Sequence, residues 1–161
     1  MPNSYRVSAR SAAAPDAVYR LLLSAGTWPL WSPIDAAEVE NGTDPGRLAR
    51  VGDTRIFRTG RAVSRERVVE LVTDRRFGYE IVGGRTFRSY RGLVELASDG
   101  RGGTTVTWSA TFQPAVRFTG PFWEWFLTRF MRRMAAGLAA HAVASTAPRE
   151  PDAGSDPMMG I

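Results

Sequence analysis

Arg67, Tyr79 and Tyr90 are the side chains best suited to chemistry in this sequence. Arg67 follows Glu66 on the stretch Ala62 to Leu71, whose alternation places Arg65, Arg67, Val69 and Leu71 on one face. If that face is concave, a guanidinium there stays charged in an apolar pocket. It can stabilise an enolate, polarise a ketone or hold a carboxylate bidentately. If the face is convex, Arg67 is a solvated neighbour of Glu66, and the sequence leaves both open. Tyr79 alternates with Phe77 and Ile81, and Tyr90 with Gly92, Val94 and Leu96, so either phenol can reach an interior. There it donates to a carbonyl oxygen, acts as a weak acid in a dehydration, or serves as an amphipathic wall residue. Trp31 and Trp108 can stack on a flat conjugated ligand or pack the core. Val69, Phe77, Ile81, Phe126 and Phe130 supply apolar walls.

Other chemistry is excluded by composition. There is no cysteine and only one histidine, His141, which removes thiol nucleophiles, cysteine-based metal sites and histidine-rich metal centres. His141 falls near the end of the last helix, where a structural role is expected. Asp35, Glu38 and Glu40 alternate without ligand-type spacing and are read as solvated surface. No cofactor and no metal are predicted. All 21 basic residues are arginine, and the net charge of +5 with a pI near 10.6 admits a polyanion partner. The arginines are scattered along the whole length, however, and no basic helix is present, so no nucleic acid is expected. No window resembles a signal peptide or a membrane span, and a cytoplasmic protein is predicted. The arginine excess with abundant Ala and Gly resembles the composition of a GC-rich bacterial genome.

The elements that must position these residues follow from periodicity. Tyr5 to Ala9 alternates as a strand. Ala14-Pro15-Asp16 opens a helix with Val18, Leu21 and Leu22 on its apolar face, and Gly26 stops it. Thr27 to Pro33 suits a short helical turn carrying two tryptophans. From Ile34 to Phe112, turn signals such as Asn41-Gly42, Thr59-Gly60 and Gly83-Gly84 separate six strands of an antiparallel meander. Gly120-Pro121 to about Ser145 reads as one amphipathic helix of about seven turns. Phe122, Phe126, Phe130, Met134, Leu138 and His141 form its stripe against the sheet. Phe122, Trp123, Trp125 and Phe126 cannot all face inward, which leaves a lid, a homodimer contact or a membrane-surface contact open. Residues 1–146 are predicted as one domain and 147–161 as a flexible tail.

This order resembles the START-like or helix-grip (SRPBCC) superfamily, including the polyketide cyclase/dehydrases and lipid-transfer domains. The resemblance rests on Ala14-Pro15-Asp16-Ala17-Val18-Tyr19, Thr27-Trp28-Pro29-Leu30-Trp31-Ser32-Pro33, Gly103-Thr104-Thr105-Val106-Thr107-Trp108 and the terminal helix. It implies an α+β fold, with a curved antiparallel sheet of about seven strands around a long C-terminal helix. It also implies a cavity between them for a small hydrophobic, lipid- or polyketide-like molecule. In tetracenomycin-type aromatase/cyclases an arginine and a tyrosine form the polar pair. Glu66-Arg67-Val68 matches the arginine position, while Ile34 or Asp35 stands where the tyrosine falls. Three functions are therefore carried forward: a binding or carrier protein, an aromatase/cyclase or dehydratase without metal or redox cofactor, and a regulatory interaction protein with a filled interior.

Overall fold

Alternating inward and outward side chains build seven strands, and the computed structural model describes residues 2–42, 44 and 46–146. The chain runs β1 (Asn3–Ser11), α1 (Pro15–Leu23), a 3-10 turn (Ala25–Thr27) and α2 (Trp28–Trp31). It continues through β2 (Ala36–Val39), β3 (Thr54–Thr59), β4 (Ala62–Val72), β5 (Arg76–Ile81), β6 (Phe87–Ser98), β7 (Thr104–Pro114) and α3 (Gly120–Thr146). All strands pair antiparallel in the order β1-β7-β6-β5-β4-β3-β2. This is the helix-grip architecture expected, with seven strands, two short helices after the first and the long helix last. The stretch expected to be a flexible tail lies outside the described residues.

Pro15 stands at the start of α1, where its missing N–H costs nothing, and Asp16 lies in the first turn. Val18, Leu21 and Leu22 are buried, as their spacing requires. α2 docks on α3 at Gly137, where an added Cβ would fall 1.8 Å from the Trp31 carbonyl oxygen. Only a glycine permits that approach.

Two expectations about faces are corrected. A bulge between Val68 and Glu70 makes Val69 an extra residue on β4. Counting in twos from Leu71 therefore selects the wrong face beyond it. Ser64, Glu66 and Val68 point inward, whereas Arg65 and Arg67 are exposed. The second concerns α3, whose buried residues include Leu127, Met131, Met134, Ala135 and Leu138, while Phe122 and Phe126 are exposed and His141 is half-buried. A strict four-residue repeat advances about 40° per step around an α-helix. The ladder Phe122, Phe126, Phe130 thus begins on the solvent side and reaches the core only at Met134 and Leu138.

Candidate functional site

Between the concave sheet and α3 lies a cavity of about 600 Å³, partly open to solvent. Its inner walls include Trp28, Phe57, Ile81, Trp108, Met131 and Met134. Its mouth is formed by three segments: Ala62 and Val63 at the start of β4, Gly83 and Gly84 after β5, and Phe126 with Phe130 on α3. Phe122, Phe126 and Phe130 stack in sequence, with ring centroids 6.1 Å apart at both steps. Phe126 and Phe130 therefore form one lip of the cavity, with Phe122 stacked outside it.

The polar groups of the wall converge at one place. Trp108 Nε1 donates to the Tyr79 hydroxyl at 3.0 Å, and the hydroxyls of Tyr5 and Tyr90 are hydrogen-bonded at 2.5 Å. The Tyr79 and Tyr90 rings stack at 6.2 Å. Gly92, opposite Tyr79 on β6, makes this possible, since a Cβ there would sit 2.2 Å from the Tyr79 ring. Burial, reinforced by mutual repulsion of the would-be phenolates, holds Tyr5, Tyr79 and Tyr90 well above the ordinary tyrosine value. These phenols therefore remain protonated at neutral pH. Tyr79, with its oxygen already accepting from Trp108, has a proton to donate.

Glu66 also lines the cavity, and its Oε1 accepts a long 3.4 Å hydrogen bond from Ser64 Oγ. Its Oε2 is out of contact with solvent and has no protein partner. Burial raises this carboxyl from 4.5 to about 7, against the opposing pull of Arg55 and the Ser64 hydrogen bond. Arg55 faces Glu66 in register across β3 and β4 and is fully buried, yet the two make no ion pair within 4.0 Å. Its guanidinium lies 4.7 Å from the Trp28 ring, 5.1 Å from Phe57 and 4.7 Å from Phe77. Nη1 donates to the Leu22 carbonyl at 2.7 Å, near the C-terminal, partially negative end of α1. Burial lowers its pKa to about 10, so the charge persists at pH 7.

The structure brings Tyr79, Tyr90, Ile81, Trp108, Phe126 and Phe130 together around one cavity. It places four other candidates elsewhere. Arg67 points to solvent on the convex face, opposite Thr54 and Glu80. Val69 is the bulge residue and does not line the cavity. Phe77 is fully buried behind the wall under Arg55. Trp31 is buried against Trp28 but opens on a separate groove with Pro33, Gly137 and His141. Glu38 and Glu40 pair with Arg58 and Arg65, and Asp35 accepts the Gly60 N–H.

Sequence reasoning missed Glu66 and Arg55. For Glu66 the signal was its two-residue spacing from Val68, masked by the bulge. Arg55 stands two residues before inward-facing Phe57, a spacing that was available but conflicts with the usual exposure of arginine.

Among the described residues, no helix is long and apolar enough to cross a membrane, and no group of three or more His, Cys, Asp or Glu could hold a metal ion. Solved structures with the same fold include a START superfamily protein from Mycobacterium smegmatis, 13% identical with a TM-score of 0.74, where the match covers 89% of this chain and 99% of that one. Ara h 8.0201 is 14% identical with a TM-score of 0.69, again covering 89% and 99%. A Thermobifida fusca protein is 24% identical with a TM-score of 0.66, covering 86% and 90%. No curated protein matches the sequence significantly. At these identities the structures establish the fold alone. Family and fold fit a helix-grip protein that binds a hydrophobic ligand. The family model described as "Polyketide cyclase / dehydrase and lipid transport" matches residues 3–143, nearly all of the described chain, and the protein belongs to that family.

Proposed function

We propose that the protein binds a small, mainly apolar, ring-containing molecule, lipid-like or polyketide-like, between the sheet and α3. The observation that carries this reading is the cavity of about 600 Å³, with aromatic walls and a few convergent polar groups. That combination is what a drug-sized ligand site requires: apolar area for affinity and sparse donors for orientation. A space of this size is at odds with an interior closed by its own side chains. Arg67, pointing to solvent, takes no part in the reading.

Extraction and native mass spectrometry of purified protein should yield a bound hydrophobe. Titration with 1-anilinonaphthalene-8-sulfonate should show saturable binding. Ile81→Trp, which pushes an indole into the cavity from its wall, should weaken that binding by about ten-fold or more. Saturable binding that Ile81→Trp leaves unchanged would show that the probe sits elsewhere and defeat the reading.

One observation favours a second reading, catalysis on a polyketide-like substrate. Protonated Tyr79 and a carboxyl near neutrality, Glu66, line the same wall. A phenol can hydrogen-bond a carbonyl as an enolate forms, and a carboxylate of pKa near 7 is suited to take the α-proton. Tyr90 is bonded to Tyr5 and would orient rather than react. Under this reading Tyr79→Phe and Glu66→Gln lower turnover of a poly-β-ketone substrate while ligand retention changes little. Absence of turnover by the wild-type protein leaves binding as the sole function, and a parallel loss of turnover and retention in the variants removes Tyr79 and Glu66 from the chemical step.

A further inference from the structure

The connection from β7 to α3 and the first turns of α3 expose an apolar ridge. Phe118 is 89% exposed, Val116 66%, Trp125 58% and Phe122 55%. Phe118 also holds a φ of 65°, a conformation unfavourable for a bulky side chain. Nothing in the turn needs that ring, because the Thr119 hydroxyl, donating to the Val116 carbonyl at 2.7 Å, secures it. A phenyl group kept in water on a costly backbone points to a partner that receives it.

Charge identifies the partner. Arg117 lies over the Phe118 ring at 5.1 Å and Arg129 over Trp125 at 5.3 Å. Exposed Arg85 comes from the adjoining β5–β6 connection, which is tied to this segment by the bond from Ala115 N–H to the Thr86 carbonyl. Exposed Arg132 shares a shallow groove with Trp125 and Arg129. The one acid between 114 and 133, Glu124, is occupied by the Asn3 amide and the Ser4 N–H. Aromatics rimmed by arginines, without free carboxylates, match an anionic interface whose headgroups are charged and whose interior is apolar. A second copy of the chain fits poorly, since a two-fold contact would bring two arginine clusters together.

We propose that this ridge is a docking face for an anionic lipid bilayer. Phe118, Phe122 and Trp125 enter the headgroup region while Arg85, Arg117 and Arg129 meet lipid phosphates. Phe126, next on the helix, lines the cavity mouth, so docking sets that mouth against the bilayer surface. The proposal goes beyond ligand binding and needs no ligand in place.

The test is co-sedimentation of the full chain with phosphatidylcholine vesicles, with and without about a third phosphatidylglycerol. Binding should require the anionic lipid. Phe118→Gly combined with Trp125→Ser should weaken it by about ten-fold or more, and Phe118→Gly should fold well because glycine accepts the φ. Arg117→Gln with Arg129→Gln should lower the preference for anionic vesicles. Arg75→Gln with Arg101→Gln, at the hairpin turns of the opposite end, should change it little. Failure to bind anionic vesicles at low ionic strength overturns the proposal, as does equal binding by the ridge and control variants. A ridge variant that abolishes self-association in sedimentation velocity while leaving vesicle binding intact also overturns it, in favour of a second copy.

Discussion

Burial raises the Glu66 carboxyl from 4.5 to about 7, so folding disfavours its charge. The sign of the pH effect follows. Below pH 4.5 the residue is protonated in both states and costs nothing. Between 4.5 and 7 the folded state holds more protons than the unfolded one, and stability declines as pH rises. Above about 7 the loss is complete, at most on the order of 3 kcal/mol. Glu66→Gln should therefore be more stable than wild type at pH 8 and nearly equal at pH 4, as measured by urea denaturation of ligand-free protein. Arg55 opposes the rise, so Arg55→Met should move the Glu66 titration above 7, observable by carbon-detected NMR of the side-chain carboxyl. Neither residue was assigned a role from sequence. A buried arginine held by three rings and one carbonyl depends on partners from α1, α2, β3 and β5, which no local pattern reveals.

Elements depend on a few positions where space is closed. Gly137→Ala would drive a methyl group into the Trp31 carbonyl. The strain should cost about 1–3 kcal/mol in chemical denaturation. The same displacement would move Trp28, a cavity wall, and weaken ligand binding. Gly92→Ala should push Tyr79 out of its bond with Trp108, visible as a changed indole N–H resonance. Strand and helix identities were legible because alternation and turn glycines are local signals, as Phe77, Tyr79 and Ile81 on β5 illustrate. The face of β4 was not, since one inserted residue, Val69, inverts everything before it. The aromatic ladder of α3 misled for a related reason: its four-residue repeat winds away from the buried stripe.

At the scale of the whole molecule, a ligand that binds only the folded state should raise its stability. At about one hundred times its dissociation constant the gain is roughly 2.7 kcal/mol. For a chain of this length that corresponds to a Tm increase of about 5–10 °C, readable by differential scanning calorimetry. At the same ligand concentration Ile81→Trp should cut the increase to about half or less. The topology and the presence of an interior were legible from the order of elements and its family resemblance. At the polar end of that interior Tyr79, Tyr90 and Trp108 were legible from alternation, whereas Glu66 was hidden by the β4 bulge and Arg55 by partners distant in sequence.

A hollow between sheet and helix also sets the response to compression. Hydrostatic pressure favours whichever state occupies less volume, and unfolding eliminates unfilled interior space. The share of this roughly 600 Å³, partly open cavity that water leaves unfilled should make the unliganded protein unfold at lower pressure than a solid-cored domain of equal thermal stability. A guest that fills the space should make the molecule harder to crush by more than its effect on melting alone implies.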